Sequence, residues 1–140
     1  MAAYESVTIV NLIAGEDLRG DVYELLYVEN DSGVGKVIKT TAVTQTPIGV
    51  LAENPSADAS TDGVTVPVAL LQGVVLMKAG AAITAGYIVV PDTTTGRVAG
   101  VANSGALAAD SMGVGIALVT AADGDIFPVL AMPIAAPHSA

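Results

Sequence analysis

Short apolar segments, separated by polar turns, follow one another along most of the chain. The apolar segments cover residues 21–28, 36–43, 48–51, 64–71, 74–77, 87–90, 113–120 and 126–132. They are rich in Val, Ile, Leu and Tyr, which suit the pleated surface of a β-sheet. Between them lie segments with the composition of tight turns, at residues 30–33, 62–63, 93–96 and 123–124. The pattern predicts an all-β fold of short strands, with helix limited to one or two turns at residues 55–60 and 104–110.

The order of short motifs in the first half of the chain recurs in the second half. An Ala-Gly pair, a Gly-Val pair and an apolar-Pro-Val motif follow one another in each half. Their positions are 14–15 and 79–80, 49–50 and 113–114, and 66–68 and 127–129. This self-similarity predicts two related halves. We therefore expect a compact sandwich or a tulip-like barrel with an extended N-terminal arm.

The same pattern suggests a division of the chain into three parts. Residues 1–13 are expected to form an N-terminal arm, and residues 133–140 a flexible tail. Residues 14–132 are expected to form a single β domain whose halves cover about 14–78 and 79–132. The arm contains Val7, Thr8, Ile9 and Val10, a β-prone run suited to extending the sheet edge of a neighbouring molecule.

Charge and composition favour self-association over binding to nucleic acid or membranes. Hydrophobic residues make up 52% of the chain and charged residues 14%, so we expect apolar surface to be hidden between subunits. The net charge is −9 with five scattered basic residues, which gives no basic patch for phosphate or acidic lipid. The apolar runs 64–77 and 126–136 contain prolines and are shorter than the ~20 residues of a membrane helix. No signal peptide is apparent.

Residues that could support catalysis or metal binding are few. The chain has no cysteine, and its one histidine, His138, lies near the end. The acidic residues at 16, 17, 21 and 24 are expected to form a solvated face, and those at 92, 123 and 125 to lie in turns. Residues 33–36 resemble a phosphate loop only superficially and are expected to form a turn. We predict no catalytic, cofactor or metal site, and a protein that is not an enzyme.

Two other functions stay open at this point. Met77 and Lys78, placed between the halves, are similar to the modified Met-Lys motif of biotinyl and lipoyl carrier domains, although Ala79 and Gly80 depart from that motif. A β-rich surface adhesin is the other alternative, but one Phe and no Trp leave little on which a sugar could stack.

The motif order also resembles a family of small tailed-phage proteins that decorate or cement the capsid. The second half carries the resemblance best, through residues 80, 86, 87, 96–98, 113–118 and 123–125. The match extends over about residues 14–132 and contains no catalytic signature.

The resemblance implies a structural protein with specific partners and location. It implies a homotrimer on the exterior of the virion capsid, made in the host cytoplasm, with the major capsid protein as partner. It also implies that an N-terminal arm touches the capsid, through Tyr4, Val7, Thr8, Ile9 and Val10. By mass action, binding to the assembled shell would stabilise it.

Overall fold

The computed structural model describes residues 7–42, 44–56, 64–92, 94–107 and 112–135, which contain ten β-strands. The strands of the first half are β1 (Ile9–Ile13), β2 (Leu25–Asp31), β3 (Val34–Lys39), β4 (Pro47–Leu51) and β5 (Thr65–Leu70). Those of the second half are β6 (Val74–Lys78), β7 (Ile88–Pro91), β8 (Val98–Val101), β9 (Met112–Ala117) and β10 (Ile126–Ala135). One 3₁₀ turn, Ser104–Ala106, precedes β9.

Each half of the chain forms its own five-stranded antiparallel sheet. The order in sheet A is β1-β5-β4-β2-β3, and in sheet B it is β6-β10-β9-β7-β8, so the two orders are the same. Within the described residues neither sheet closes into a barrel, and the two sheets share a hydrophobic core. The predicted all-β sandwich of two related halves is confirmed.

Residue pairings give the equivalence between the halves. Val68 pairs with Val10 as Val129 pairs with Val75. These pairings confirm the correspondence of the apolar-Pro-Val motifs. The predicted match of Gly49 with Gly113 is wrong by two residues.

The strand registers show the correct counterpart. Gly49 pairs with Leu26 in β2, and Gly115 pairs with Val89 in β7, so Gly49 corresponds to Gly115. The error arose because a repeated Gly-x-Gly in β9 offers two glycines to a sequence alignment, and only the ladder distinguishes them.

Two buried clusters hold the fold together. The smaller one lies within sheet A and contains Ala14, Leu18, Leu26, Val37, Leu51, Val66 and Val68. The larger one contains the core of sheet B together with Leu25, Val50 and Ala69 of sheet A. The face of sheet A that carries Leu25, Val50 and Ala69 is therefore covered by the second half, and this contact fixes the two sheets against each other.

Several strand boundaries differ from those expected. The segment predicted to begin a strand at residue 21 enters β2 only at Leu25, because Tyr23 has φ 67° and turns the backbone. Strand β8 was not predicted, since its Val-Ala-Gly-Val sequence is short and small. The turn expected at residues 62–63 lies outside the described residues.

The predicted arm and tail partly overlap with strands. Residues 9–13 pair with β5 as the edge of sheet A, and β10 continues to Ala135. The division into residues 1–13, 14–132 and 133–140 stays a prediction.

Candidate interaction surfaces

The predicted capsid-contact segment leads into the edge strand of sheet A. Tyr4 lies outside the described residues. Thr8 and Ile9 are exposed, Ile9 by 55%, whereas Val7 and Val10 are half-buried against the two cores. The Thr8 hydroxyl is 3.1 Å from the Gln72 side-chain oxygen, to which it donates. Two of the four described residues are thus exposed to solvent, and the other two pack against the cores.

Strand β1 is an edge strand, and an edge can accept a further strand or a flat protein surface. Directly after the end of β1, Ala14 forms a parallel bridge with Val37 of β3. Ile9 and Asn11 are both exposed along its length. The β1 edge can therefore make both backbone and apolar contacts.

A second apolar surface lies on sheet B, and the sequence analysis did not identify it. Leu130 is 40% exposed and Leu118 45% exposed, and Leu130 pairs with the half-buried Ile116. We call these three residues the sheet B face. Its signal in the sequence is that β10 is apolar at successive positions from Ile126 to Met132, on both of its sides.

A cleft of about 250 Å³ opens between the two sheets. Its walls are the segment before β4, Leu71, the start of β9 and the end of β10. The lining is mainly apolar, and Gln45 turns its side-chain oxygen to the backbone amides of Thr41 and Ala42. The cleft can take an apolar side chain, and none of its described walls carries an ionisable residue.

One buried carboxylate lies where the two halves meet. Glu24 is 5% exposed, and its Oε2 is 3.8 Å from Nε of Arg97 in the β7–β8 hairpin. Beside it, the Leu25 amide donates to the Gly96 carbonyl at 2.7 Å. Burial raises the pKa of the Glu24 carboxyl, and the charge of Asp21 raises it further. This group joins the sheets and costs stability when it is ionised.

The Glu24→Gln variant is expected to gain stability relative to the wild type as pH rises. Because folding raises the pKa of Glu24, the stability that the protonated carboxyl contributes to the wild type is fully present below the ordinary glutamate pKa. That stability is lost as pH rises through the higher pKa of the folded state. Urea unfolding of both proteins, from below the ordinary glutamate pKa to above the folded one, measures the difference in free energy of unfolding, with Glu29→Gln at an exposed position of β2 as control. A difference that stays flat, or falls with pH, would contradict the assignment.

The other acidic residues take part in local turns and ion pairs. Asp17 forms a 2.7 Å ion pair with Arg19, whose side-chain hydrogen bond lowers the pKa of Asp17. Glu16 accepts a hydrogen bond from the Lys39 amide at 2.6 Å. The predicted solvated acidic face thus includes one residue, Glu24, that is instead buried.

The turn aspartates cap their own loops. Asp92 accepts from the Thr94 amide at 2.8 Å, and Asp125 accepts from the Ala122 amide at 2.9 Å. Asp123 lies 3.8 Å from Arg97. Within the described part of the chain, no three His, Cys, Asp or Glu side chains are grouped to hold a metal ion. His138 lies outside that part.

Lys78 does not have the position that a carrier lysine needs. It is the last residue of β6, pairs with Ile126 and is half-buried. Its backbone amide donates to the Tyr23 carbonyl at 3.1 Å, across the junction of the halves. A modified lysine projects from an exposed hairpin tip, so this placement removes the structural basis of the carrier hypothesis.

The residues at 33–36, which resemble a phosphate loop, form a β-turn and the start of β3. Ser32 and Gly33 have φ 53° and 88°, as a hairpin turn with two positive φ angles requires. Asn30 accepts from the Gly33 amide at 2.8 Å. The prediction of a turn over residues 33–36 is confirmed only for Gly33, because residues 34–36 lie in β3.

The helices of the described residues include no segment that is both long and apolar enough to cross a bilayer.

Comparison with known proteins identifies the fold. No protein-family model matches the sequence, and no curated protein sequence matches it. The structure is similar to a crystal structure described as the head fiber gp8.5 N base of bacteriophage phi29, with a TM-score of 0.64. The match covers 90% of this chain and 94% of that chain, at 14% sequence identity. The protein therefore shares its fold, almost end to end, with the base of a phage head fiber.

Proposed function

We propose that this chain is a structural protein of a phage head, which binds the outer surface of the capsid as a homotrimer and stabilises it. One observation carries the proposal: the likeness to the phage head fiber base extends over 90% of this chain and 94% of that one. The resemblance of the sequence to phage decoration proteins points to the same class of function.

The surface of the molecule supports a role in adhesion. Ten large apolar side chains of the described residues are at least 38% exposed, on a chain of 140 residues. Large exposed apolar surfaces mark interaction sites in soluble proteins. The negative net charge keeps such a protein soluble before it assembles.

For the capsid contact we propose the segment that contains Tyr4, Val7, Thr8, Ile9 and Val10. The support is that Ile9 projects from an edge strand with more than half of its side chain exposed. Val7 and Val10 pack inward and hold the segment in place. Three copies acting together would multiply weak contacts through effective concentration.

The Ile9→Glu variant is expected to lose binding to capsids that lack the protein, while it still forms the wild-type assembly in solution. Removing a central apolar contact and adding a charge weakens each site, and trimeric binding amplifies the loss. Co-sedimentation with capsids measures occupancy, and light scattering measures assembly. Val119→Glu, at a position 43% exposed between β9 and β10, is the matched control. Unchanged occupancy of Ile9→Glu would reject this contact.

Stabilisation of the head is tested separately. Particles with and without the bound protein are heated, and release of the genome is followed by dye binding. The decorated particles are expected to release DNA at a higher temperature, because binding to the assembled shell favours it by mass action. Equal release temperatures at full occupancy would reject the stabilising role.

A further inference from the structure

The exposed apolar residues differ in position between the two halves. In the described residues of the first half they lie on β1, on the β2–β3 hairpin and before β5, as Ile9, Val28, Val34 and Val64. In the second half they lie on or beside β9 and β10, as Met112, Leu118, Val119, Ile126, Leu130 and Met132. The two halves share one strand order, so equivalent positions can be compared directly.

The sheet B face corresponds, residue by residue, to a face of sheet A. Leu130 pairs with Ile116 as Ala69 pairs with Val50. The Leu118 amide donates to the Pro128 carbonyl as the Ala52 amide donates to the Pro67 carbonyl. The counterparts of the sheet B face are therefore Val50, Ala52 and Ala69.

In sheet A this face is covered, whereas in sheet B it is exposed at Leu118 and Leu130 and buried at Ile88, which pairs with Ile116 and is 7% exposed. Val50 is 1% exposed and Ala69 5% exposed, and both belong to the cluster that contains the core of sheet B. Ala52 packs against the same cluster. Leu130 and Leu118, in contrast, are 40% and 45% exposed. The second half covers the face of the first half, whereas none of the described residues covers Leu130 and Leu118 to the same extent.

The elements with which the second half contacts the first also have counterparts. The contacts come from Gly96 in the β7–β8 hairpin, whose carbonyl accepts from Leu25, and from the Lys78 amide, which donates to Tyr23. The equivalent elements of the first half are the β2–β3 hairpin and the end of β1. That hairpin carries Val28 and Val34, which are 48% and 44% exposed and lie on its two opposite faces, because Val28 pairs with Val37 and Val34 pairs with Asp31. The first half thus has its own hairpin with exposed apolar side chains.

We propose that the sheet B face of one copy is covered by the β2–β3 hairpin of a second copy, which repeats between chains the contact that joins the two sheets within a chain. The inference rests on the self-association in the proposed function, and not on capsid binding. The interface is heterologous, because one copy contributes its sheet B face and the other copy contributes its β2–β3 hairpin. Such contacts close into a ring when the rotation between copies allows it.

The repeat also specifies one hydrogen bond of the new interface. Tyr23 corresponds to Gly86, since the Tyr23 amide donates to Leu51 as the Gly86 amide donates to Ala117. Lys78 pairs with Ile126 at the start of β10, as Ile13 pairs with Thr65 at the start of β5. The Ile13 amide of one copy is therefore expected to donate to the Gly86 carbonyl of the next.

Two single variants and their mixture test the interface. Leu130→Glu removes the sheet B face, and Val34→Glu removes the hairpin surface. Each variant alone is expected to weaken association by at least about 30-fold, as loss of a central interface residue does. Mixed in equal amounts, they retain one intact pair of surfaces and are expected to form a dimer with one copy of each. Native mass spectrometry identifies this mixed dimer, because the two variants differ in mass.

Controls separate misfolding from loss of the interface. Val119→Glu is the matched control for Leu130→Glu, because Val119 is similarly exposed, at 43%. Val119 follows Leu118 as Glu53 follows Ala52, so it corresponds to a position that already carries an exposed glutamate in the first half. This variant is expected to assemble as the wild type does. Circular dichroism and thermal melting check the fold of each variant, and Leu118→Glu replaces Leu130→Glu if the latter is unfolded.

The outcomes discriminate between this inference and the function itself. Wild-type assembly by Leu130→Glu and Leu118→Glu, or by Val34→Glu alone, would overturn the heterologous interface and leave capsid binding untouched. A wild-type protein that is a monomer in solution would overturn both the interface and the self-association on which it rests. A wild type that forms the ring but does not sediment with capsids would overturn only the proposed function.

Discussion

Replacing Gly49 or Gly115 by alanine is expected to lower the free energy of unfolding by about 3 kcal/mol in each case. A Cβ atom on Gly49 would press on the Ala69 carbonyl oxygen and lie 2.8 Å from Val68 Cγ1. On Gly115 it would press on the Leu130 carbonyl oxygen and lie 2.7 Å from Val129 Cγ1. The clash is with the backbone of the neighbouring strand, which cannot give way without breaking the ladder.

Urea denaturation followed by circular dichroism measures both losses. Gly105→Ala is the control, because a Cβ there would meet only the Asn103 side-chain oxygen, at 3.1 Å, in an exposed turn. Its expected cost is below about 0.5 kcal/mol, as for surface substitutions away from special features. If Gly49→Ala and Gly115→Ala were as stable as this control, the close approach of the strands at both positions would be disproved.

Phe127→Ala is expected to cost about 3–5 kcal/mol, the range for truncating a buried aromatic side chain. Phe127 is the single phenylalanine of the chain, is 2% exposed and is the largest of the fully buried side chains in the described residues. Its removal leaves a cavity in a core otherwise made of aliphatic residues and Met77. Since small domains have about 5–15 kcal/mol of stability in total, this one change approaches the threshold for folding.

The adjacent residue gives a matched control on the same strand. Ile126 points to the opposite side of β10 and is 48% exposed. Ile126→Ala is expected to cost less than about 1 kcal/mol, because little of its surface is removed from water on folding. Thermal unfolding of the two variants at the same protein concentration makes the comparison. Equal midpoints would show that Phe127 is not the centre of the sheet B core.

The two halves also show how one fold can carry two surfaces. At equivalent positions the first half has Ala69 and Ala52, and the second half has Leu130 and Leu118. Small side chains let a sheet approach closely where it is covered within the chain, and larger ones extend the reach of the face that is left open. This difference supports the assignment of the open face to contacts between copies.

The local sequence predicted most of the strands and turns, although not β8 or the start of β2. Val, Ile and Leu in short runs made the strands, and residues such as Gly33 and Gly124 supplied the positive φ that tight turns require. The repeated apolar-Pro-Val motif also revealed the two halves, because the same local sequence forms the same strand twice. These features depend on neighbours in the chain, so the chain alone suffices to predict them.

The prolines show the limit of such local reasoning. A proline lacks the amide of a ladder, which predicts an edge strand or a bulge. Yet β5 and β10, with Pro67 and Pro128, lie inside their sheets, and the register is unbroken at both prolines. Each proline sits opposite the point where the neighbouring strand has just ended, with its carbonyl accepting from Ala52 or Leu118. Only the paired strand's length decides whether the missing amide matters.

Burial was likewise decided by the tertiary structure. Glu24 belongs to an acidic run that the sequence assigns to a solvated face, and the docking of the β7–β8 hairpin encloses it beside Arg97. Leu130 and Ala69 occupy the same place in equivalent sheets, and the other half of the chain covers Ala69 but leaves Leu130 40% exposed. The sequence determined the two sheets, whereas the contact between them, which depends on residues far apart in the chain, determined which surface stays exposed.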